Sequence, residues 1–233
     1  MTVSESSSQT ITALKALSPL DGRYAGRLAP LKDLFSEFGL IKHRVEIEVR
    51  WLEQLARTPQ IQEVPPLTDD ACAFLDHIVA DFSVTDAEQV KAIESRTNHD
   101  VKAVEYFLKE AISSKPELQQ ISEFIHFACT SEDINNLAYA VMLDKGRNNI
   151  LLPLIDQMIQ DLSELARSTA GQPMLSRTHG QTASPTTLGK ELANVTARLL
   201  AARQKIADVL LYGKMNGAVG NYNAHLAASP DVD

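Results

Sequence analysis

Cysteine is almost missing from this chain. Cys72 and Cys129 are the only two in 233 residues, too few for a disulfide framework and without the CxxC spacing of a thiolate metal site. Basic charge is also short: 22 Lys and Arg stand against 30 Asp and Glu, a net charge of −8 that argues against a general nucleic-acid or anionic-membrane binder. A small anionic substrate is still compatible, because a local site can oppose the global sign. No apolar run approaches the roughly 20 residues of a membrane span. The Ser/Thr-rich start, Met1 to Thr10, has neither the basic n-region nor the apolar h-region of a secretory signal. The six histidines (43, 77, 99, 126, 179 and 225) have no paired i, i+4 ligand spacing, so no metal site is expected. These absences make a reducing, cytoplasmic setting the default.

Helical periodicity is what the chain does have, and no convincing alternating strand interrupts it. Residues 1–12 read as disordered. A helix is expected over about 31–57, with Leu34, Phe38, Ile41, Val45, Leu52 and Leu55 on one face. Beyond Pro65-Pro66 comes a helix carrying Phe74, Leu75, Ile78 and Val79. Thr85 to Glu88 reads as a capping box, and Val101, Val104, Leu108 and Ile112 are in helical register. From Thr130 the segments lengthen. Ile134, Leu137 and Val141 open one. Leu151, Ile155, Met158, Leu162 and Leu165 continue at 4-3 spacing, with Pro153 as a kink or break. Leu188, Leu192, Val195, Leu199, Ala202, Ile206 and Val209 then repeat as a heptad seam that needs partner helices. The expected fold is all-α: a small helical N-terminal domain over 13–125, then the first part of a long-helix bundle domain over 126–233.

Four polar segments lie near predicted helix ends, where unpaired N–H groups can hold carboxylate or phosphate. Thr130 and Ser131 open a long helix; they form either an anion cradle or a plain cap with Asp133 at its third position. Asn98-His99-Asp100 opens another; either His99 relays a proton or it is a surface side chain beside a capping Asn or Asp. Ser176 to Gln181 places His179 beside Gly180, as an acid–base candidate or as a solvated loop residue. Lys214 to Asn221 carries two glycines but not P-loop spacing, and reads otherwise as a helix exit. Arg23-Tyr24 could clamp a phosphate or sit in a commonplace turn. Cys129 reads as a small buried helix residue rather than a nucleophile.

Taken in order, five blocks resemble the bacterial adenylosuccinate lyase family of the aspartase/fumarase superfamily. They are Ser18 to Tyr24, Arg96 to Phe107, Phe124 to Asn136, Ser176 to Gln181, and Asn216 to Asn223. The resemblance implies β-elimination of fumarate from adenylosuccinate, giving AMP, and from the succinylated aminoimidazole carboxamide ribotide of purine biosynthesis. It implies no cofactor. His179 matches the family's general acid and His99 a supporting residue. Arg23 and Tyr24 match residues at the phosphate end; Asn98, His99, Asp100, Thr130 and Ser131 match substrate contacts. It also implies a homotetramer whose active sites each draw on three chains, with small-molecule nucleotide substrates; neither nucleic acid nor membrane is expected as a partner. The family's Gly-Ser-Ser loop, which bears the serine base, has no match here and is expected beyond Asp233, so the chain is expected to be an inactive fragment on its own. Argininosuccinate lyase, or a non-catalytic helical scaffold, are the alternatives. Arg23-Tyr24 and the pairing of Asn98 to Asp100 with Thr130 to Asp133 favour the adenylate enzyme.

Overall fold

The structure is a computed structural model and describes residues 15–232; the expectation for residues 1–12 lies outside that range. Ten α-helices and one two-stranded hairpin follow in order among the described residues. Helices α1 (Ala29–Phe35) and α2 (Glu37–Ala56) replace the single helix expected over 31–57. The break is at Ser36, whose extended backbone and side-chain oxygen cap α2 by accepting from the Gly39 N–H at 3.2 Å. Thr68 caps α3 (Asp69–Ala80) in the same way. Ser83 and Asp86, not Thr85 and Glu88, form the capping box that opens α4 (Val84–Thr97). Next come α5 (Asp100–Ile112) and the short α6 (Pro116–Gln120).

Helix α2 is the axis of this part of the molecule. It packs on α1, α3, α4, α5 and α7 (Ser131–Gly146), and Ile41, Val45, Val49, Leu52 and Leu55 are all buried. One hydrophobic cluster takes its members from Ile41 to Ile125 and includes Val104, Leu108 and Ile112 of α5. Phe82 ties it together, stacking on Phe38 and meeting the edge of Phe107. The periodicity of α2 and α5 therefore marks their buried faces. On α7 the buried hydrophobic residues are Ile134, Ala138 and Met142, with Leu137 and Val141 only half-buried.

Helix α7 does not stop. A π-helical turn, Arg147–Leu151, leads directly into α8 (Leu152–Ser168), and every residue at the junctions stays right-handed helical. Pro153 is the physical cause. It lacks an N–H, and its ring opposes the carbonyl four residues back, so the ladder widens there instead of breaking. The rod from Ser131 to Ser168 is roughly 57 Å long.

A β-hairpin then corrects the expectation that no strand is present: β1 (Pro173–Thr178) pairs antiparallel with β2 (Gln181–Thr187), joined by His179-Gly180. Both linking residues have positive φ, 49° and 74°, the pattern of a type I′ turn. The alternation that would announce strands is missing because both arms are mostly solvated and Pro185 sits in β2. Helix α9 (Leu188–Ala207) returns antiparallel along α8. Their close approach needs Gly189, where a Cβ would collide with the Ala166 carbonyl. Helix α8 buries Leu152, Ile159 and Ala166, whereas Leu151, Met158 and Leu165 of the seam read from the sequence stay exposed. On α9, Leu188, Leu192, Leu199 and Ile206 are half-buried and Val195 is exposed; Val209, the last residue of the expected seam, lies past the end of the helix and is exposed as well. The last helix among the described residues is α10 (Asn223–Ala228).

Leu108 is 1% exposed within the main cluster. Leu108→Ala is expected to lower the unfolding free energy by about 2–5 kcal/mol while leaving helical content intact, measured by urea denaturation followed by circular dichroism.

Candidate active site

The site is assembled from helix starts. Asn98 ends α4 in the left-handed region (φ 51°), a conformation that Asn tolerates, and turns the chain into α5. His99, and not Asn98 or Asp100, is the N-cap of α5: its Nδ1 accepts the Lys102 N–H at 3.1 Å. That acceptance leaves Nε2 as the nitrogen available to a ligand. Asn98 and His99 are exposed, as a substrate contact requires. Asp100 is held by the Arg44 guanidinium at 2.6 Å. Burial pushes its carboxyl up, but the charge of Arg44 and the N-terminal amides of α5 outweigh this and hold it below the usual range.

Arg44 also donates through Nε to Asn135 Oδ1 of α7 at 2.9 Å. One buried side chain of α2 thereby fastens the start of α5 to Asn135, near the start of α7, and so links the Asn98 to Asp100 segment to the helix that Thr130 caps. Thr130 is the N-cap of α7 and Ser131 its first residue, both half-buried.

Asp133 does more than cap. Its carboxylate is fully buried and accepts from the Thr130 N–H at 2.8 Å, Lys214 Nζ at 2.8 Å, and the N–H groups of Asn216 and Gly217 at 3.2 Å each. Burial raises its pKa, but the Lys214 hydrogen bond and these amides pull it below the usual range. Lys214 to Gly220 is therefore no helix exit: it is a loop docked on the start of α7, with Gly217 and Gly220 at φ 81° and 75°. Sequence spacing could not reveal this, since the partners lie some 80 residues apart.

The segment before Thr130 is also constrained. His126 and Ala128 have positive φ, 62° and 58°. His126 Nδ1 donates to Glu48 Oε1 at 2.6 Å, and Trp51 Nε1 donates to the Phe127 carbonyl at 3.0 Å. Burial draws the His126 pKa down, but the Glu48 hydrogen bond and charge, with Glu105 behind them, more than offset this and hold it above the ordinary value. Burial pushes the Glu48 carboxyl up. Cys129 lies in this loop and not in a helix; burial pushes its thiol well up, which disfavours a nucleophilic thiolate.

The remaining candidates stand apart. Arg23 and Tyr24 lie in an exposed turn, with the guanidinium 5.6 Å from the Tyr24 ring centre. His179 is exposed at the tip of the hairpin. That hairpin follows the far end of the 57 Å rod whose start carries Thr130. Arms of six and seven residues, roughly 20–23 Å, cannot bring it back, so His179 and Thr130 do not meet within one chain. Among the described residues no three His, Cys, Asp or Glu side chains gather as a metal site would require, and no helix is long and apolar enough to cross a membrane.

In sequence the chain is similar to known lyases. Residues 22–232 match the lyase family. An adenylosuccinate lyase from Haemophilus influenzae is 56% identical over 96% of this chain and 49% of its own length. That of Escherichia coli K12 is 54% identical with the same coverage, and one from Legionella pneumophila Corby is 50% identical. The chain thus spans about half the length of the curated relatives it matches. A fumarate lyase from Mesorhizobium sp. BNC1 superposes with a TM-score of 0.68 at 21% identity, over 87% of this chain and 45% of that one, which supports the all-α fold.

The His126–Glu48 contact generates a pH prediction. Because native His126 is held above the free imidazole value of about 6.5, its contribution to stability is complete below that pH. It is lost as the pH rises through the higher native value. Burial of Glu48 adds a loss of the same sign. The urea midpoint should therefore fall as the pH rises above about 6.5, and Glu48→Gln should flatten the decline, as followed by tryptophan fluorescence.

Proposed function

The chain belongs to the lyase family, and on that premise we propose that it supplies the N-terminal half of an adenylosuccinate lyase. The observation that carries this reading is the joining of two anion-ready helix starts, those of α5 and α7, on Arg44. The 54–56% identity to adenylosuccinate lyases favours this enzyme over an argininosuccinate lyase. The substrates are adenylosuccinate and the succinylated aminoimidazole carboxamide ribotide, the products fumarate with AMP or the carboxamide ribotide, and the setting cytoplasmic purine biosynthesis.

In this reading Thr130, Ser131, Asn98, His99 and Asp100 hold the substrate. Hydroxyls and free N–H groups at the α7 start suit a carboxylate, and preorganised donors stabilise the charge that develops as the carbon next to it loses a proton. Arg23 and Tyr24 take the phosphate end. His179 protonates the departing nitrogen as the C–N bond breaks, supported by His99. The family's serine base has no counterpart among the 233 residues, so turnover requires that further piece.

The separation of His179 from Thr130 supports a site shared between chains, and the exposed Leu154, Met158, Leu165, Val195 and Leu200 of α8 and α9 support self-association of the long helices, in a tetramer. We place the domain boundary at 125/126, where the main hydrophobic cluster takes its last member before the rod.

Two outcomes test this. In the full-length enzyme, His179→Ala should lower kcat for fumarate release by ~100- to 10,000-fold while KM changes little, because the proton is transferred in the transition state. A steep rise in KM at constant kcat would make His179 a binding residue instead. Mixing inactive His179→Ala and Thr130→Ala chains should restore activity, since some sites in mixed oligomers draw both residues from unaltered chains; no recovery would leave the helical-scaffold alternative standing.

A further inference from the structure

Helix α2 carries a polar stripe inside an otherwise apolar packing surface. Arg44, Glu48 and Trp51 are spaced i, i+4, i+7 and share one face. Arg44 and Glu48 are buried, Glu48 with no exposure at all, and Trp51 is half-buried. Every polar contact described for the three, within this stripe, runs to a segment that carries a candidate substrate residue. Arg44 binds Asp100 at 2.6 Å and Asn135 at 2.9 Å. Glu48 accepts from His126 at 2.6 Å, and Trp51 donates to the next residue's carbonyl, Phe127 O, at 3.0 Å. The last two contacts grip one stretch of backbone from the same helix. That stretch holds two left-handed residues, His126 and Ala128, in a conformation L side chains rarely adopt, and it leads directly into Thr130 and Ser131.

We propose that Arg44, Glu48 and Trp51 are positioning residues that set the Thr130-Ser131 and Asn98 to Asp100 segments in register with each other for substrate binding. The proposal rests on reading those two segments as substrate contacts. A left-handed loop has no intrinsic reason to stay folded back; without Glu48 and Trp51 it relaxes, and the hydroxyls and N–H groups at the start of α7 move. Arg44 then fixes the distance from that start to Asp100. None of the three touches substrate in this arrangement. They act through His126, the Phe127 carbonyl, Asn135 and Asp100.

The test compares Glu48→Leu, Glu48→Gln and Trp51→Phe in the full-length enzyme, each normalised to its folded fraction. Leu108→Ala serves as a variant that loses stability without touching these contacts. Glu48→Leu and Trp51→Phe should lower kcat/KM by about 10- to 100-fold, the scale of an ångström's misplacement of binding groups. Glu48→Gln, whose carbonyl can still accept from His126 Nδ1, should retain most of it, and Leu108→Ala should stay near the parent. Amide hydrogen exchange at Cys129 to Asp133 should accelerate in the first two and not in Leu108→Ala. Should Glu48→Leu not fold, Trp51→Phe decides through the same two readouts. Parent-like kcat/KM and exchange in Trp51→Phe, with an active parent, would overturn the proposal alone. A parent that releases no fumarate from adenylosuccinate would instead overturn the functional reading beneath it.

Discussion

A charge taken out of water must meet an opposite charge or a full set of hydrogen bonds, and this constraint organises the molecule. Helix α2 is packed by five other helices and yet carries Arg44, Glu48 and Glu53 in its buried surface. Each finds a partner: Asp100, His126 and Arg50 respectively. The apolar residues of α2 bring the surrounding helices near, but hydrophobic burial is non-directional and would tolerate sliding. The polar partners select one arrangement. It is through them that the starts of α5 and α7, which the packing alone would leave loosely related, are held at a fixed mutual position.

Asp133 applies the same constraint a second time. Its buried carboxylate gathers donors from Thr130, Lys214, Asn216 and Gly217, so a glycine-bearing loop about 80 residues downstream closes on the start of α7. Gly217 answers to that closure: its φ of 81° lets its N–H face the carboxylate. Two buried acids, Glu48 on α2 and Asp133 on α7, thus hold the Thr130-Ser131 segment in place. One acts on the backbone that enters α7, the other on the loop that returns to it.

The long rod separates the candidate site residues along its length. At one end lie the anchored helix starts; at the other, a hairpin offers His179 on a two-residue turn. Such a turn presents a side chain rigidly and far from the main chain's own core. Helices α8 and α9 cover each other on one side only, leaving leucine, valine and methionine side chains open on the other. An arrangement of this kind is complete only when other helices lie against it, and the same association is what would bring a hairpin tip to a distant helix start.

The helices themselves, the buried faces of α2 and α5, and the capping role of Thr130 with Asp133 were legible in the sequence, because 3.6-residue periodicity and cap residues are local properties expressed within a few turns. The candidate site residues were legible as polar breaks between apolar helices, and the family resemblance gave the roles proposed for them. What the sequence could not express was relation at a distance. Arg44 and Glu48 look like ordinary charges on a long helix until α5, α7 and the His126 loop are packed around them. Lys214 to Gly217 looks like a helix exit until Asp133 is buried beneath it. The hairpin at His179 was hidden because two solvated arms carry no alternation, and the exposed seam of α8 because an apolar stripe does not say which partner covers it. Tertiary structure decided these points, since a buried charge names its partner only when the chain brings the two together in space.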